Sequence, residues 1–471
     1  MAHPLIVGGT RVKTRETAPV LDKYTGKVIA EVSVAAREHV DDAAAAAEET
    51  FIAGALPVHE RAAILDRAAE LIAERSKKLG ETFTAETGFT IREAELDIQR
   101  TVQTMRASAE ETRRLAGEMV PFAGAPGQEH RLGFTLRVPI GPVCAITPFN
   151  SPLNTVTHKV APAIGAGNPV VLKPSQMTPL SAFSLCEILE ESGLPPGWLS
   201  LLFGSGSVIG DWLLEEQRFR FYAFTGSTAV GERLQAGLRL RRSQMELGAV
   251  STTILCEDAD VEPALAKIAP ASFRKAGQVC TSVQILLVHR DLKEQVEDRL
   301  PELAASMQAG DPREPATSVG PMISEGEARR AESWVQEALA DGAEALTEVR
   351  RDGPLLAPVV LTGVRQGMKV IDQEIFAPVV SILEVDDLDR AIDFVNQMPF
   401  GLTTGVFTRD LNRAIGAAQR LRVGVVQIGE SSSSRVDIMP YGGTKASGFG
   451  KEGPRYAIEE MTEERLVVLN Q

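Results

Sequence analysis

Apolar positions repeat every three to four residues early in the chain and gather into short continuous runs later. Ile64, Leu65, Ala68, Leu71 and Ile72 fall on one helical face. Asp41 and Asp42 precede an alanine run over 43–47, which places acid at an expected helix start, where the macrodipole favours it. A further helix is expected over about 92–115, and the Gly- and Pro-containing stretch 120–128 ends it. From Phe134 onward, apolar runs alternate with helical segments. Val143–Ile146, Pro169–Leu172, Leu199–Phe203 and Phe219–Phe224 are followed by helical patterns over 153–164, 180–191, 208–214 and 229–236. That alternation predicts a parallel sheet covered on both faces by helices. Ligands of such sheets sit beyond the carboxyl ends of the strands, where Asn150, Lys173, Gly204 and Gly226 fall. A second α/β set has runs at Thr252–Cys256, Ile285–Val288, Val379–Leu383, Gly405–Thr408 and Val423–Ile428. It shows no fixed period and reads as another domain rather than a repeat. The 471 residues exceed what one core sustains. The loop over 430–440, with four consecutive serines, reads either as a flexible surface tip or as a pocket rim.

Composition narrows the class. With 44% apolar and 24% charged residues the chain is an ordinary globular one, and its net charge of −14 argues against a nucleic-acid or anionic-membrane partner. Residues 1–20 hold no secretory apolar run, and no later run approaches a membrane span. The cysteines Cys144, Cys186, Cys256 and Cys280 make no CxxC pair, so a reducing cytoplasm is the expected setting. The histidines lack metal-ligand spacing, and no metal is expected.

Candidate chemistry centres on Gly277-Gln278-Val279-Cys280-Thr281 and, upstream, Met245-Glu246-Leu247-Gly248. A thiol and a carboxylate are the two groups needed to oxidise an aldehyde through a covalent thioester. The thiolate attacks the carbonyl, and the carboxylate later activates water. Each motif alone is weak, because a cysteine in such a setting is more often a buried small apolar residue. Other motifs fall in order around them: Pro148-Phe149-Asn150, Lys173-Pro174-Ser175, Phe224-Thr225-Gly226-Ser227-Thr228 with Gly231, Glu374-Ile375-Phe376-Ala377-Pro378 and Pro440-Tyr441-Gly442-Gly443.

Together these seven collinear pieces resemble the aldehyde dehydrogenase superfamily over essentially the whole chain. The resemblance implies an α/β fold with a Rossmann-type dinucleotide-binding domain (1–117 with 137–246) and an α/β catalytic domain (247–440). It also implies a small β flap for oligomerisation (118–136 with 441–471), and a homodimer or homotetramer. It implies Cys280 as nucleophile, Glu246 as the base for hydrolysis, and Asn150 as an oxyanion donor beside the Cys280 backbone N–H. NAD or NADP would be held by Thr147, Pro148, Phe149, Lys173, Gln176, Gly204, Phe224, Thr225, Gly226, Ser227, Val230, Leu247, Glu374 and Phe376.

Two departures from the family pattern matter. Gln176 stands where many NAD-preferring relatives carry a glutamate, which removes the repulsion toward a 2′-phosphate and implies tolerance of NADP. Ala249-Val250 replaces the usual Gly-Lys, and a methyl there is expected to crowd Glu246 only slightly. For the substrate, Arg100, Arg435, Thr281 and Phe149 are the candidates, with the arginines suited to gripping an anion. A small polar or anionic aldehyde is favoured modestly, since Val279 replaces an arginine found in some phosphate-handling relatives. Transfer of the acyl group to coenzyme A, or a silent structural homologue, are the alternatives. The presence of Glu246 and of all three catalytic groups speaks against them.

Overall fold

In the computed structural model residues 2–470 are described. The chain opens on strands, not on the helices expected for its first third. Leu5–Val7 pairs antiparallel with Thr10–Val12, and Thr17–Leu21 with Val28–Ser33. These runs are too short to announce themselves by alternation, and Leu5–Val7 is secured by a distant partner, Leu199–Leu201. Helices Arg37–Ala53, Val58–Glu74, Ser76–Thr87 and Ile91–Arg114 follow. The first begins at Arg37, so Asp41 and Asp42 lie in its second turn and do not open it. The His39 ring serves as the cap instead, accepting the Ala36 N–H at 2.9 Å. Ala43, Ala44 and Ala47 are buried, as are Ile64, Leu65, Ala68, Leu71 and Ile72. Helix Ile91–Arg114 opens on a reciprocal cap. Thr90 Oγ1 accepts from the Glu93 N–H, and the Glu93 carboxylate accepts from the Thr90 N–H at 2.8 Å.

The first sheet runs, edge to edge, Thr10–Val12, Leu5–Val7, Leu199–Leu201, Val170–Lys173, Val143–Ile146, Phe221–Thr225, Arg242–Glu246 and Gly448–Phe449. Its five strands from Leu199–Leu201 to Arg242–Glu246 are parallel. The three central ones, Val170–Lys173, Val143–Ile146 and Phe221–Thr225, are largely apolar on both faces, as expected for a sheet covered by helices on either side. The chain lays down Val143–Ile146 centrally, moves outward to Leu199–Leu201, then returns on the opposite side with Phe221–Thr225. That reversal opens a crevice between the ends of Val143–Ile146 and Phe221–Thr225.

A second sheet has the order Glu344–Ala345, Val359–Thr362, Val379–Val385, Ile285–His289, Thr252–Leu255, Thr403–Phe407 and Val425–Ile428, parallel except at its first pair. Each sheet has its own core, and the chain passes from the first to the second between Leu247 and Val250. A third sheet joins Thr462–Asn470, Arg131–Pro139 and Met119–Val120 antiparallel. Among the described residues no helix is long and apolar enough to cross a membrane, and no group of His, Cys, Asp and Glu is placed to hold a metal ion.

Candidate active site

The crevice at the strand reversal is where the motif residues meet. Thr147, Pro148 and Phe149 leave strand Val143–Ile146, Lys173 ends its own strand, and Gly226 and Ser227 lead into helix Thr228–Leu238. Thr147, Lys173, Gln176, Phe224 and Val230 line a cleft of about 420 Å³. Pro148, Phe149 and the 225–227 turn form its boundary with a deeper cavity of about 240 Å³. That cavity holds Cys280, Glu246, Asn150, Thr281, Leu247, Glu374, Phe376, Arg100 and Arg435. Gly204, expected among the cofactor residues, lines neither. It makes a turn at φ 141°, and a Cβ there would meet Ile209 and Val34, so its glycine answers to core packing.

Cys280 sits after a tightly folded corner. Helix Val261–Phe273 ends, and Lys275, Ala276 and Gly277 adopt φ values of 52°, 52° and 69°. At Gly277 a Cβ would stand 1.9 Å from the Ala377 carbonyl oxygen, so only glycine lets the corner close. Gln278 stitches the corner from inside: its amide donates to Lys275 O at 3.1 Å and its oxygen accepts from the Ile323 N–H at 2.9 Å. The hydroxyl of Tyr441 lies 3.1 Å from Cys280 Sγ, and the Arg435 guanidinium carbon stacks 3.8 Å from the Tyr441 ring centre. Burial pushes the thiol up to about 11, with the Tyr441 hydrogen bond and the Arg435 charge acting against that rise. The remaining cysteines are buried; Cys256 lies one residue beyond its strand.

Glu246, the last residue of its strand, is buried, and neither carboxylate oxygen has a hydrogen-bond partner among the described residues. Burial, then the neighbouring Glu452, hold it well above the usual carboxylate range. Gly442 makes room, since a Cβ there would come within 2.8 Å of Glu246 Oε1. Behind it lies a buried charge cluster that motif reading missed. Lys159 Nζ is 2.7 Å from Glu452 Oε1 and donates to Gln244 Oε1 at 2.7 Å, and Arg435 reaches Glu452 Oε2 at 2.7 Å. Burial alone would raise Glu452, but Lys159 and Arg435 hold it well below the carboxylate range. The Ala249 methyl packs with Leu402 and Tyr441, and Val250 joins the second core, so neither presses on Glu246.

Asn150 Nδ2 donates to Gln278 O at 3.0 Å, which ties it to the cysteine loop through one of its two N–H groups. Glu374, raised by burial to about 7, accepts the Ala249 N–H at 3.1 Å. Phe376 meets Phe149 edge to face at 5.9 Å. Lys173 is buried, lowered to about 8 by that burial, and among the described residues satisfied only by the neighbouring Pro174 carbonyl at 3.1 Å. A buried ammonium with spare donors, a helix start at Gly226-Ser227 and a carboxylate on the far wall fit the ribose, pyrophosphate and second ribose of a dinucleotide.

The basic residues are not equivalent. Arg100 grips Asp437 with two bonds, of 3.0 and 2.7 Å, and Arg435 is committed to Glu452 and Tyr441. Both line the cavity, yet both are already neutralised. Arg274, which carried no expected role, is half-buried and, among the described residues, donates only to Ser433 Oγ, at 2.7 and 3.2 Å. Among the described residues no carboxylate pairs with it. Its place six residues before Cys280 was visible, but which way it points was not. The serine loop is a pocket rim rather than a flexible tip: Ser431 and Ser432 are buried, and Ser432 Oγ donates to Thr281 O at 2.9 Å.

Comparison with known proteins identifies the family. The aldehyde dehydrogenase family model matches residues 10–467. The chain is 46% identical to 3-sulfolactaldehyde dehydrogenase of Priestia aryabhattai, across 99% of this chain and 98% of that enzyme. Aldehyde dehydrogenase 21 of Physcomitrella patens, solved with its reaction product succinate, superposes with a TM-score of 0.97 at 35% identity, covering 100% of this chain and 98% of that one. The NADP-dependent glyceraldehyde-3-phosphate dehydrogenase of Bacillus halodurans, solved with NADP, gives 0.97 at 32% identity, covering 100% and 99%. With the fold matched end to end, and a thiol, a buried carboxylate and a dinucleotide-shaped cleft converging at one crevice, the chain belongs to the aldehyde dehydrogenase family of oxidoreductases.

Proposed function

We propose that the protein oxidises a small anionic aldehyde to its acid with NAD or NADP, through a thioester on Cys280 that water hydrolyses. The observation that carries this reading is that Cys280, Glu246 and Arg274 line one cavity. Cys280 Sγ adds to the aldehyde carbon, and the carbonyl oxygen gains negative charge. The free N–H of Asn150 and the Cys280 backbone N–H hold that oxyanion, a contribution worth ~10²–10³-fold in rate per donor. The dinucleotide, when bound, supplies the hydride acceptor. Lys173, the Gly226-Ser227 turn and Glu374 would hold it, and Phe149 and Phe376 wall its inner end. Glu246 then removes a proton from the attacking water, the tetrahedral adduct collapses, and the Cys280 thiol leaves.

In the resting site burial favours the neutral form of both the thiol and Glu246. Each must lose its proton to act, and the Tyr441 hydroxyl and the Arg435 charge favour the thiolate when it forms. Arg274 is suited to the substrate anion because a planar guanidinium with spare donors bonds a carboxylate or sulfonate with two parallel N–H groups. The name of the Priestia relative is consistent with a sulfonate. The Thr462–Asn470 sheet presents exposed Leu466, Val468 and Leu469 and would pair subunits into a dimer or tetramer.

The test is a panel of neutral, carboxylated and sulfonated aldehydes assayed by NADH and NADPH formation, with Cys280→Ser as control. Oxidation of anionic aldehydes that Cys280→Ser abolishes supports the reading. Activity that survives in Cys280→Ser, or appears only with coenzyme A as acyl acceptor, refutes it.

A further inference from the structure

The corner before Cys280 contains a charge that the mechanism above does not use. Lys275 is buried, and its ammonium lies 3.1 Å from Asp97 Oδ1 and donates to the main-chain carbonyl of Asn150 at 2.8 Å. It faces the rings of Phe83 and Phe89, at 5.6 and 5.3 Å from their centres, so its polar contacts are confined to one side. Asp97 also accepts from the Ser151 hydroxyl and from the Asn154 N–H at 3.3 Å, which binds the 150–154 segment to the same carboxylate. The Lys275 N–H donates to Glu93, one helical turn before Asp97. Helix Ile91–Arg114 thus grips both the backbone and the side chain of Lys275. Lysine is an uncommon residue for left-handed backbone, so its side chain is what its presence there provides.

We propose that Lys275, with Asp97 as its anchor, is a positioning residue for the oxyanion site. Asn150 is held at two points: its amide by Gln278 O and its carbonyl by the Lys275 ammonium. Both partners belong to the corner that carries Cys280. The ammonium thereby sets the distance between the Asn150 amide and the Cys280 backbone, the two donors that must converge on one oxygen. This rests on the reading of Asn150 as an oxyanion donor.

The experiment compares Lys275→Met, Lys275→Met with Asp97→Asn (which leaves no lone buried charge), Asn150→Ala, and Lys275→Met in the Asn150→Ala background. Two rates are measured in each: aldehyde oxidation, and alkylation of Cys280 by iodoacetamide, which needs the sulfur but no oxyanion site. The expected result is a kcat loss of ~10–100-fold in the Lys275 variants, little change in KM, alkylation within about twofold, and no further loss beyond about twofold on top of Asn150→Ala. Lys275→Asn, which suits left-handed backbone, replaces Lys275→Met should the latter fail to fold. Unchanged kcat in the Lys275 variants, losses that multiply with that of Asn150→Ala, or alkylation that falls in step with kcat would each overturn the proposal while leaving the role of Asn150 standing. Unimpaired turnover in Asn150→Ala would overturn both.

Discussion

Arg274→Met is the sharpest probe of substrate class. The methionine keeps the unbranched stem and much of the volume, so the wall of the cavity stays filled while the guanidinium is lost. Among the described residues Arg274 has no carboxylate partner to lose, so within the protein the change costs the bonds to Ser433 Oγ, whereas removal of Arg100 or Arg435 would strip one partner from the buried Asp437 or Glu452. A charge-assisted pair in a water-poor site contributes ~2–4 kcal/mol, and about 1.4 kcal/mol is a factor of ten. For an aldehyde carrying a carboxylate or sulfonate, kcat/KM therefore falls ~10–10³-fold, and most of the loss appears in KM if the anion is gripped equally in ground and transition states. An uncharged aldehyde of equal length changes by no more than about threefold. The assay is initial-rate NAD(P)H formation with the two aldehydes on the two enzymes. Equal losses for both aldehydes, or no loss for the anionic one, would refute the assignment of Arg274 as the anion grip.

Other outcomes follow from the same geometry. Glu246→Gln leaves acylation intact but stalls hydrolysis, giving a burst of about one NAD(P)H per site followed by turnover reduced ~10²–10⁴-fold, with the thioester visible by intact mass; linear progress curves would contradict it. Because burial and Glu452 raise Glu246 above the ordinary carboxylate range, its base form is gained at a higher pH than that of a free glutamate, so the hydrolytic step of the unaltered enzyme accelerates as pH rises, read as single-turnover deacylation against pH. With the thiol pushed up to about 11, Cys280 alkylation in the dinucleotide-free enzyme rises about tenfold per pH unit from neutrality toward that value; a plateau below pH 8 would speak against it. Gly277→Ala forces a side chain against Ala377 O at positive φ and destabilises the fold by ~2 kcal/mol or more, read as a lower denaturation midpoint.

Much of the architecture was legible in the residues themselves. A buried parallel strand must be apolar on both faces, so runs such as Val143–Ile146 and Ile285–His289 declare themselves in any environment. The Gly-Gln-Val-Cys and Glu-Leu-Gly motifs pointed to residues that meet in one cavity, and for the first the reason is similar: the corner at Gly277 tolerates no Cβ, and that demand is local. Short strands such as Thr10–Val12 were not legible, because three residues carry no period and the partner alone makes the strand. Nor was the helix start at Arg37, where a histidine ring replaced the expected acidic residues.

What only the tertiary structure decided is how charge is distributed in the cavity. Arg100, Arg274 and Arg435 look alike in the chain, but Asp437 and Glu452 neutralise two of them across separations of 337 and 17 residues, leaving the third without a carboxylate partner among the described residues. Lys275, Lys159 and Tyr441 acquire their places the same way, from partners that the fold brings close and the sequence keeps apart. Local sterics and backbone hydrogen bonding act between neighbours in the chain, so sequence expresses them. Electrostatic pairing and desolvation act between neighbours in space, and they exist only once the chain has closed around them.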